Sequence, residues 1–191
     1  MSFIVGVESG QYVEAGMLGR NGVVGAGAAL DGPDALNTAT IQGESTGAMI
    51  EAEVAKSLAR QSETLRTALV HQERAFSAQT QQLVVCNALH DLEERLSRWL
   101  LQSRDLLQSD TLPLTQDFLS HMLGVQRSSV TIIARKLQAA GLISCRRGRI
   151  HVLDVEGLQD SCCECYEAIN GHFHKLIGWS PADLRDQQTA T

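Results

Sequence analysis

What this sequence lacks narrows it first. No apolar run is long enough to span a bilayer, so no membrane partner is expected. The start, Met1-Ser-Phe-Ile-Val-Gly-Val, has no basic stretch leading into an apolar one. A secretory signal is therefore not expected, and a cytoplasmic location is. No Gly-x4-Gly-Lys-Ser/Thr loop occurs, and Gly25-Ala-Gly27 has no third glycine at dinucleotide-binding spacing, so nothing points to a nucleotide-dependent enzyme. Proline is scarce at three residues, and both proline and glycine vanish between Ala48 and Gln108. Five cysteines are an odd number, and Cys162, Cys163 and Cys165 crowd together. That pattern excludes a secreted disulfide framework and fits reduced thiols.

One further absence is local. Between Phe118 and Leu153 there is no Asp or Glu, although the whole chain carries a net charge of −6. The same stretch holds Arg127, Arg135, Lys136, Arg146, Arg147 and Arg149. Acids gather elsewhere, from Glu44 to Glu73, from Asp91 to Glu94 and after Asp154. A positive module on an acidic protein attracts a phosphate backbone while the remainder repels it.

At 191 residues the chain holds one large domain or two small ones. Its first fifty residues are rich in glycine and small residues. Turn signals at Glu8-Ser-Gly, Arg20-Asn-Gly and Asp31-Gly-Pro-Asp break short Val/Ile patches. Short strands and tight loops follow, too few to close a sandwich or roll. This segment either lacks upstream strands or borrows a surface from a partner.

The breaker-free stretch that follows predicts at least two helices, one of them long and covering about 75–107. Val54, Leu58, Leu65, Leu69, Phe76 and Leu83 recur at spacings of four and seven. Leu89, Leu92, Leu96, Trp99 and Leu100 make a second stripe. The first stripe packs either on its own domain or against the same helix of a second copy. The second reading is preferred, because an incomplete sheet domain leaves apolar surface to cover. It assigns Phe76, Leu83, Cys86 and His90 to a dimer interface.

Ser109-Asp-Thr-Leu-Pro-Leu reads as a linker. Thr115 then caps a helix whose buried face is Phe118, Leu119, Met122 and Leu123. Gly124 permits a left-handed turn, and Val125 plugs the gap behind it. A second helix starts at Gln126 and buries Val130, Ile133, Ala134 and Leu137 before Gly141 ends it. Small, turn, core, core at Ser120, Gly124, Val130 and Ile133 is the helix-turn-helix spacing. Two short strands, Leu142-Ile-Ser-Cys and Ile150-His-Val-Leu, flank Arg146-Arg-Gly-Arg. This is a wing, and its arginines suit phosphate or minor-groove contact. The candidate DNA-binding residues are Thr115, Gln116, Gln126, Arg127, Ser128, Ser129, Thr131, Arg135, Arg146, Arg147 and Arg149.

The stretch Leu114-Thr-Gln-Asp-Phe-Leu-Ser-His-Met-Leu-Gly-Val-Gln-Arg-Ser-Ser-Val-Thr, with Leu137-Gln-Ala-Ala-Gly-Leu-Ile and the wing, resembles the Crp/Fnr family of transcription regulators. Asn87-Ala-Leu-His-Asp-Leu-Glu-Glu-Arg-Leu-Ser-Arg-Trp-Leu-Leu resembles the end of that family's dimerisation helix and its next helix. The resemblance implies a homodimer on pseudo-palindromic double-stranded DNA, with RNA polymerase as a further partner and an unknown effector. It implies that Arg127 pairs with guanine, and that Thr115, Gln126 and Ser129 hold phosphates. Ser128 stands where many members have a base-reading Glu, and Ile132 where some have a second Arg, so the best-known operator does not carry over. Gly22-Val-Val-Gly-Ala-Gly-Ala-Ala-Leu is similar to the phosphate-binding turn of the family's β-roll effector domain. Ala26 stands near the usual Glu, and Leu36-Asn37-Thr38 replaces the usual Arg-Ser/Thr pair. No tight cyclic-AMP binding is expected, because the phosphate loses its charge-assisted partner.

The expected fold is α+β and mostly helical: a partial N-terminal β-roll with flanking helices at 1–74, a dimerisation helix and connecting helix at 75–108, a winged helix-turn-helix with a C-terminal helix at 109–178, and a tail at 179–191. Cys162, Cys163 and Cys165, with His172 and His174 nearby, read as structural cysteines; a thiol- or metal-responsive sensor is the alternative. Cys163-x-Cys165 is tight for paired ligands; Cys86 and His90, four apart on one helix face, read as a polar pair on a dimer helix, with a metal or haem ligand pair as the alternative. No metal or other cofactor is assigned. Trp99 and Trp179 read as packing residues.

Overall fold

A computed structural model describes residues 1–20, 22–30 and 38–178. Expectations that rest on Asn21, on Asp31 to Asn37, or on Trp179 and the tail lie outside the described residues. The elements run β1 Ser2–Gly6, β2 Tyr12–Met17, α1 Ala26–Ala29, β3 Thr38–Thr40, α2 Ala52–Gln61, α3 Glu63–Leu89, α4 Leu92–Leu107, β4 Thr111–Leu112, α5 Gln116–Leu123, α6 Arg127–Ala139, β5 Ile143–Arg146, β6 Arg149–Val152, α7 Val155–Asp160 and α8 Cys165–Ile177. Mostly helical α+β holds. Among the described residues no helix is long and apolar enough to cross a membrane.

The N-terminal strands form one antiparallel sheet in the order β2-β1-β3, with a register shift between Phe3 and Ile4. Its β2 edge is covered by α3. Gln79 Oε1 accepts the Met17 N–H at 2.9 Å, and the Thr80 hydroxyl donates to the Ala15 carbonyl at 2.9 Å. Gly16 makes this approach possible. A Cβ there would stand 2.5 Å from Gln79 Oε1 and 2.7 Å from the Phe76 ring. Beneath the sheet Glu14 is buried, accepting from the Ser2 hydroxyl and, at 3.1 Å, from the Trp99 indole N–H. Burial pushes its carboxyl up to about 7.

The expected long helix over 75–107 is two helices. Leu89 ends α3, and Asp91 starts α4 through a capping box: its carboxylate accepts the Glu94 N–H at 3.0 Å, and Glu94 accepts the Asp91 N–H at 2.9 Å. Asp-x-x-Glu is a start signal inside a run without glycine or proline, and the capping outweighed continuity. The α4 helix is the hub of the C-terminal half. Leu96, Trp99, Leu100 and Leu101 are buried in one core with Leu112, Leu119, Leu137, Ile143, Ile150 and Leu158. The indole of Trp99 meets the Phe118 ring edge-on at 6.2 Å.

The stripe expected to pair two copies also divides. Leu69, Phe76 and Leu83 pack inside the protomer, Phe76 on Phe3 at 4.6 Å and Leu83 in a cluster with Ile169 and Phe173 of α8. Cys86 is fully buried against Cys163, and His90 lies beside Cys165. Within the protomer α8 packs on that face of α3, so Leu83 and Cys86 are buried there, while Phe76 and His90 are half-buried. Val54, Leu58 and Leu65 are exposed.

Candidate nucleic-acid interface

Helix α5 begins as its sequence demands. The Thr115 hydroxyl accepts the Phe118 N–H at 3.1 Å, and Gly124 closes the helix at φ 65°. The Gly124 and Val125 N–H groups return to the His121 and Ser120 carbonyls, so the chain reverses with its backbone paired. Ser120 is buried where α6 crosses. Val130, Ala134 and Leu137 seal α6 to α5 and α4.

Burial of that face turns the other one outward. Gln126, Arg127, Ser128 and Arg135 are exposed, with Ser129 and Thr131 half-buried. The Thr131 hydroxyl donates to Gln116 Oε1 at 2.7 Å and to the Arg127 carbonyl at 3.0 Å. Thr131 therefore joins the two helices as well as facing outward. Ile132 is a large exposed apolar residue on the same helix.

The wing is a hairpin of β5 and β6, and β4 adds a third strand, giving the order β4-β6-β5. The expected linker thus enters the sheet: Thr111 pairs with His151 and Leu112 with Ile150. Leu112 is fully buried, which explains why two residues are drawn into a strand. Arg147 and Gly148 make the hairpin turn at φ 47° and 75°. Two left-handed residues in sequence match the twist of a tight hairpin, and they project Arg146, Arg147 and Arg149 into solvent.

The cations divide into two groups. Lys136 pairs with Glu93, Arg104 with Asp110 at 2.7 Å, and Arg95 donates to the Leu123 carbonyl at 2.6 Å. These fasten α4 to its neighbours. Arg127, Arg135, Arg146, Arg147 and Arg149 make no side-chain hydrogen bond or ion pair among the described residues. They leave five exposed guanidiniums on one acid-free module, able to meet phosphates and base edges.

The turn at α1 is differently committed. Gly25 opens it at φ 80°, and the Gly27 N–H donates to Glu73 Oε1 of α3 at 3.0 Å. A carboxylate of the protein itself takes this backbone donor. The string Gly43-Glu-Ser-Thr-Gly47 has the letters of a hydrolase nucleophile elbow. It lies in an exposed irregular stretch rather than between a strand and a helix.

A second cluster brings together residues that the sequence treated separately. Cys86, His90, Cys163 and Cys165 place their donor atoms within 4.8 Å of one another. Cys163 lies in the turn before α8 and Cys165 is its first residue. A bend between the two lets both thiols face one way, which a continuous helix would forbid. Cys162 lies outside this group and donates to the Cys163 carbonyl at 3.2 Å. His172 and His174 lie outside the group. The Cys163 thiol and burial push Cys86 up to about 12; the Cys162 thiol and burial push Cys163 up to about 12. The signal available in sequence was two soft-ligand pairs, Cys-x3-His and Cys-x-Cys, read as one set.

Residues 94–161 match the model of the Crp-like helix-turn-helix domain. The fold is similar to that of a protein described as a transcriptional regulator of the Crp/Fnr family from Eubacterium rectale, at 17% identity and a TM-score of 0.62, over 84% of this chain and 75% of that one. It is also similar to a CRP-family transcriptional regulator from Thermus thermophilus, at 20% identity and a TM-score of 0.52, over 84% and 82% of the two chains. No curated protein sequence matches. At these identities the likeness to the solved structures establishes the fold.

Proposed function

We propose that this Crp-like helix-turn-helix domain, carried on the fold of the Crp/Fnr transcription regulators, reads DNA as one half of a homodimer. Helix α6 enters the major groove by its N-terminal end, where Arg127 and Ser128 reach base edges. Gln126, Ser129 and the Thr115–Gln116 start of α5 hold the adjoining phosphates. Arg146, Arg147 and Arg149 on the wing hold the backbone beyond. The observation that carries this reading is the set of five exposed, unbonded arginines on a stretch without one acidic residue.

A second copy meets the outward face of α3. Val70, Ser77, Gln81, Val84 and Ala88 are exposed there and recur at spacings of seven, four, three and four, the repeat of a paired-helix seam. Two protomers then present two α6 helices to half-sites about one helical turn apart. Cyclic AMP is not the effector in this reading. Ala26 offers no carboxylate to a ribose, and Glu73 holds a backbone donor that a phosphate would need. Cyclic AMP should leave both the thermal midpoint and DNA affinity unchanged.

The test is fluorescence anisotropy on selected operator DNA over a salt series. Arg127→Ala should cost about 1–3 kcal/mol on the operator and relax choice at one base pair. Arg147→Ala should weaken all sequences alike and reduce the salt slope by about one. Unchanged affinity in both variants sinks the reading.

A further inference from the structure

Soft donors from two distant stretches converge where α3 ends and α8 begins. Cys86 and His90 come from the last turn and cap of α3; Cys163 and Cys165 flank the start of α8. The Cys86 and Cys163 sulfurs are 3.6 Å apart, and the Cys165 sulfur is 3.6 Å from His90 Nδ1. A tetrahedral Zn2+ with bonds of about 2.3 Å to sulfur and about 2.0 Å to nitrogen sets its ligand atoms roughly 3.5–3.8 Å apart. Both closest pairs fall in that range, and the whole set lies within 4.8 Å. A cluster of several irons distributes its cysteine sulfurs over different iron atoms and needs a wider frame. We propose that Cys86, His90, Cys163 and Cys165 form a closed site for a single Zn2+ that clamps the end of α3 to the start of α8.

The surroundings fit an anionic metal centre. His90 Nε2 lies 3.2 Å from Glu164 Oε2 while its Nδ1 faces Cys165. A metal-bound imidazole commonly passes its other N–H to a carboxylate in this way, which fixes ring and tautomer. Gln82 Nε2 donates to the Cys165 sulfur at 3.1 Å. Arg98 is 2% exposed, and no carboxylate lies within ion-pair distance of it among the described residues. Its positive charge acts on Cys86 and on the buried Glu14 carboxyl. Three thiols bind as thiolates and release three protons, and the histidine binds neutral. One dication with three thiolates carries one net negative charge, which offsets a buried guanidinium that is otherwise costly. Four protein ligands leave no open position, so the role is structural. The clamp fixes the angle between the long helix α3 and α8. This inference does not depend on the DNA reading.

The test titrates the full-length, reduced, metal-free chain with Co2+ and then Zn2+. One Co2+ per chain should bind with thiolate charge-transfer and intense tetrahedral bands, which Zn2+ abolishes. Cys163→Ser and Cys165→Ser should remove the bands; Cys162→Ser and Cys145→Ser should bind like the parent. His90→Cys should keep a tetrahedral site with bands shifted to those of four sulfurs, which mere damage to the fold would not do. Glu164→Gln should weaken Zn2+ by about tenfold or more. Alkylation of the parent chain over a urea series needs no variant, and Zn2+ should raise the urea concentration at which the buried Cys86, Cys163 and Cys165 become reactive. Pale octahedral Co2+ spectra, no zinc-dependent shift in the reactivity of those three thiols, an iron–sulfide chromophore, or equal loss in Cys162→Ser would each overturn the site.

Discussion

The described residues contain two three-stranded antiparallel sheets, and they are built on opposite plans. The wing sheet buries its apolar side chains completely: Leu112, Ile143 and Ile150 are within the main core. Its charge is at the turn, in solvent. The N-terminal sheet leaves Val5 and Val13 exposed and buries a carboxylate, Glu14, beneath it. The first sheet is stiff where it is anchored and free where it presents arginines. The second depends on polar satisfaction by Ser2, Gln42 and Trp99. A rigid hydrophobic footing lets the wing hold unpaired cations without strain, whereas a buried acid makes the other sheet sensitive to pH.

The largest effect that breaks this contrast is Ile150→Ala. Deleting a buried branched side chain should cost about 2–5 kcal/mol, whereas Val13→Ala on the other sheet should cost less than about 1 kcal/mol. Urea midpoints of the two variants decide; equal losses would make the sheets alike.

Next comes pH. Glu14 in the fold sits near 7, above its ordinary value of 4.5. The folded state therefore holds the proton more tightly, and this group's stabilisation is full below 4.5 and fades as pH rises toward 7. Between pH 5 and 8 the parent should lose on the order of 2 kcal/mol relative to Glu14→Gln, at about 1.4 kcal/mol per pKa unit. Parallel urea curves for parent and variant across this interval would remove Glu14 from the account.

The smallest effect separates the two kinds of cation. Lys136→Ala breaks an exposed, solvent-screened pair with Glu93, so the urea midpoint should hardly move. It should leave the salt slope of DNA binding unchanged. Arg147→Ala should lower that slope by about one with stability intact. A slope change in Lys136→Ala would mean that this cation also meets DNA.

Legibility followed sequence distance. The helix-turn-helix could be read because each of its signals is local: the Thr115 cap, the Gly124 turn, and the Val130, Ala134 and Leu137 face all act within one or two turns of helix. The break at Asp91 is also local, a capping box set inside a long stretch without glycine or proline that favours an unbroken helix. The exposure of Arg127, Arg135, Arg146, Arg147 and Arg149 follows from the apolar pattern around them, while the bond that turns Thr131 toward Gln116 spans 15 residues and has no local signal.

The sequence by itself determined the helix-turn-helix, its wing and the sign of its charge, because caps, turns and short periodicities are energies between near neighbours. Tertiary structure decided the rest. Only the return of α8 onto α3 settled which side of the long helix is covered, and only the same return joined Cys86 and His90 to Cys163 and Cys165. Contacts across about 75 residues depend on how whole helices pack, and no local periodicity encodes that meeting.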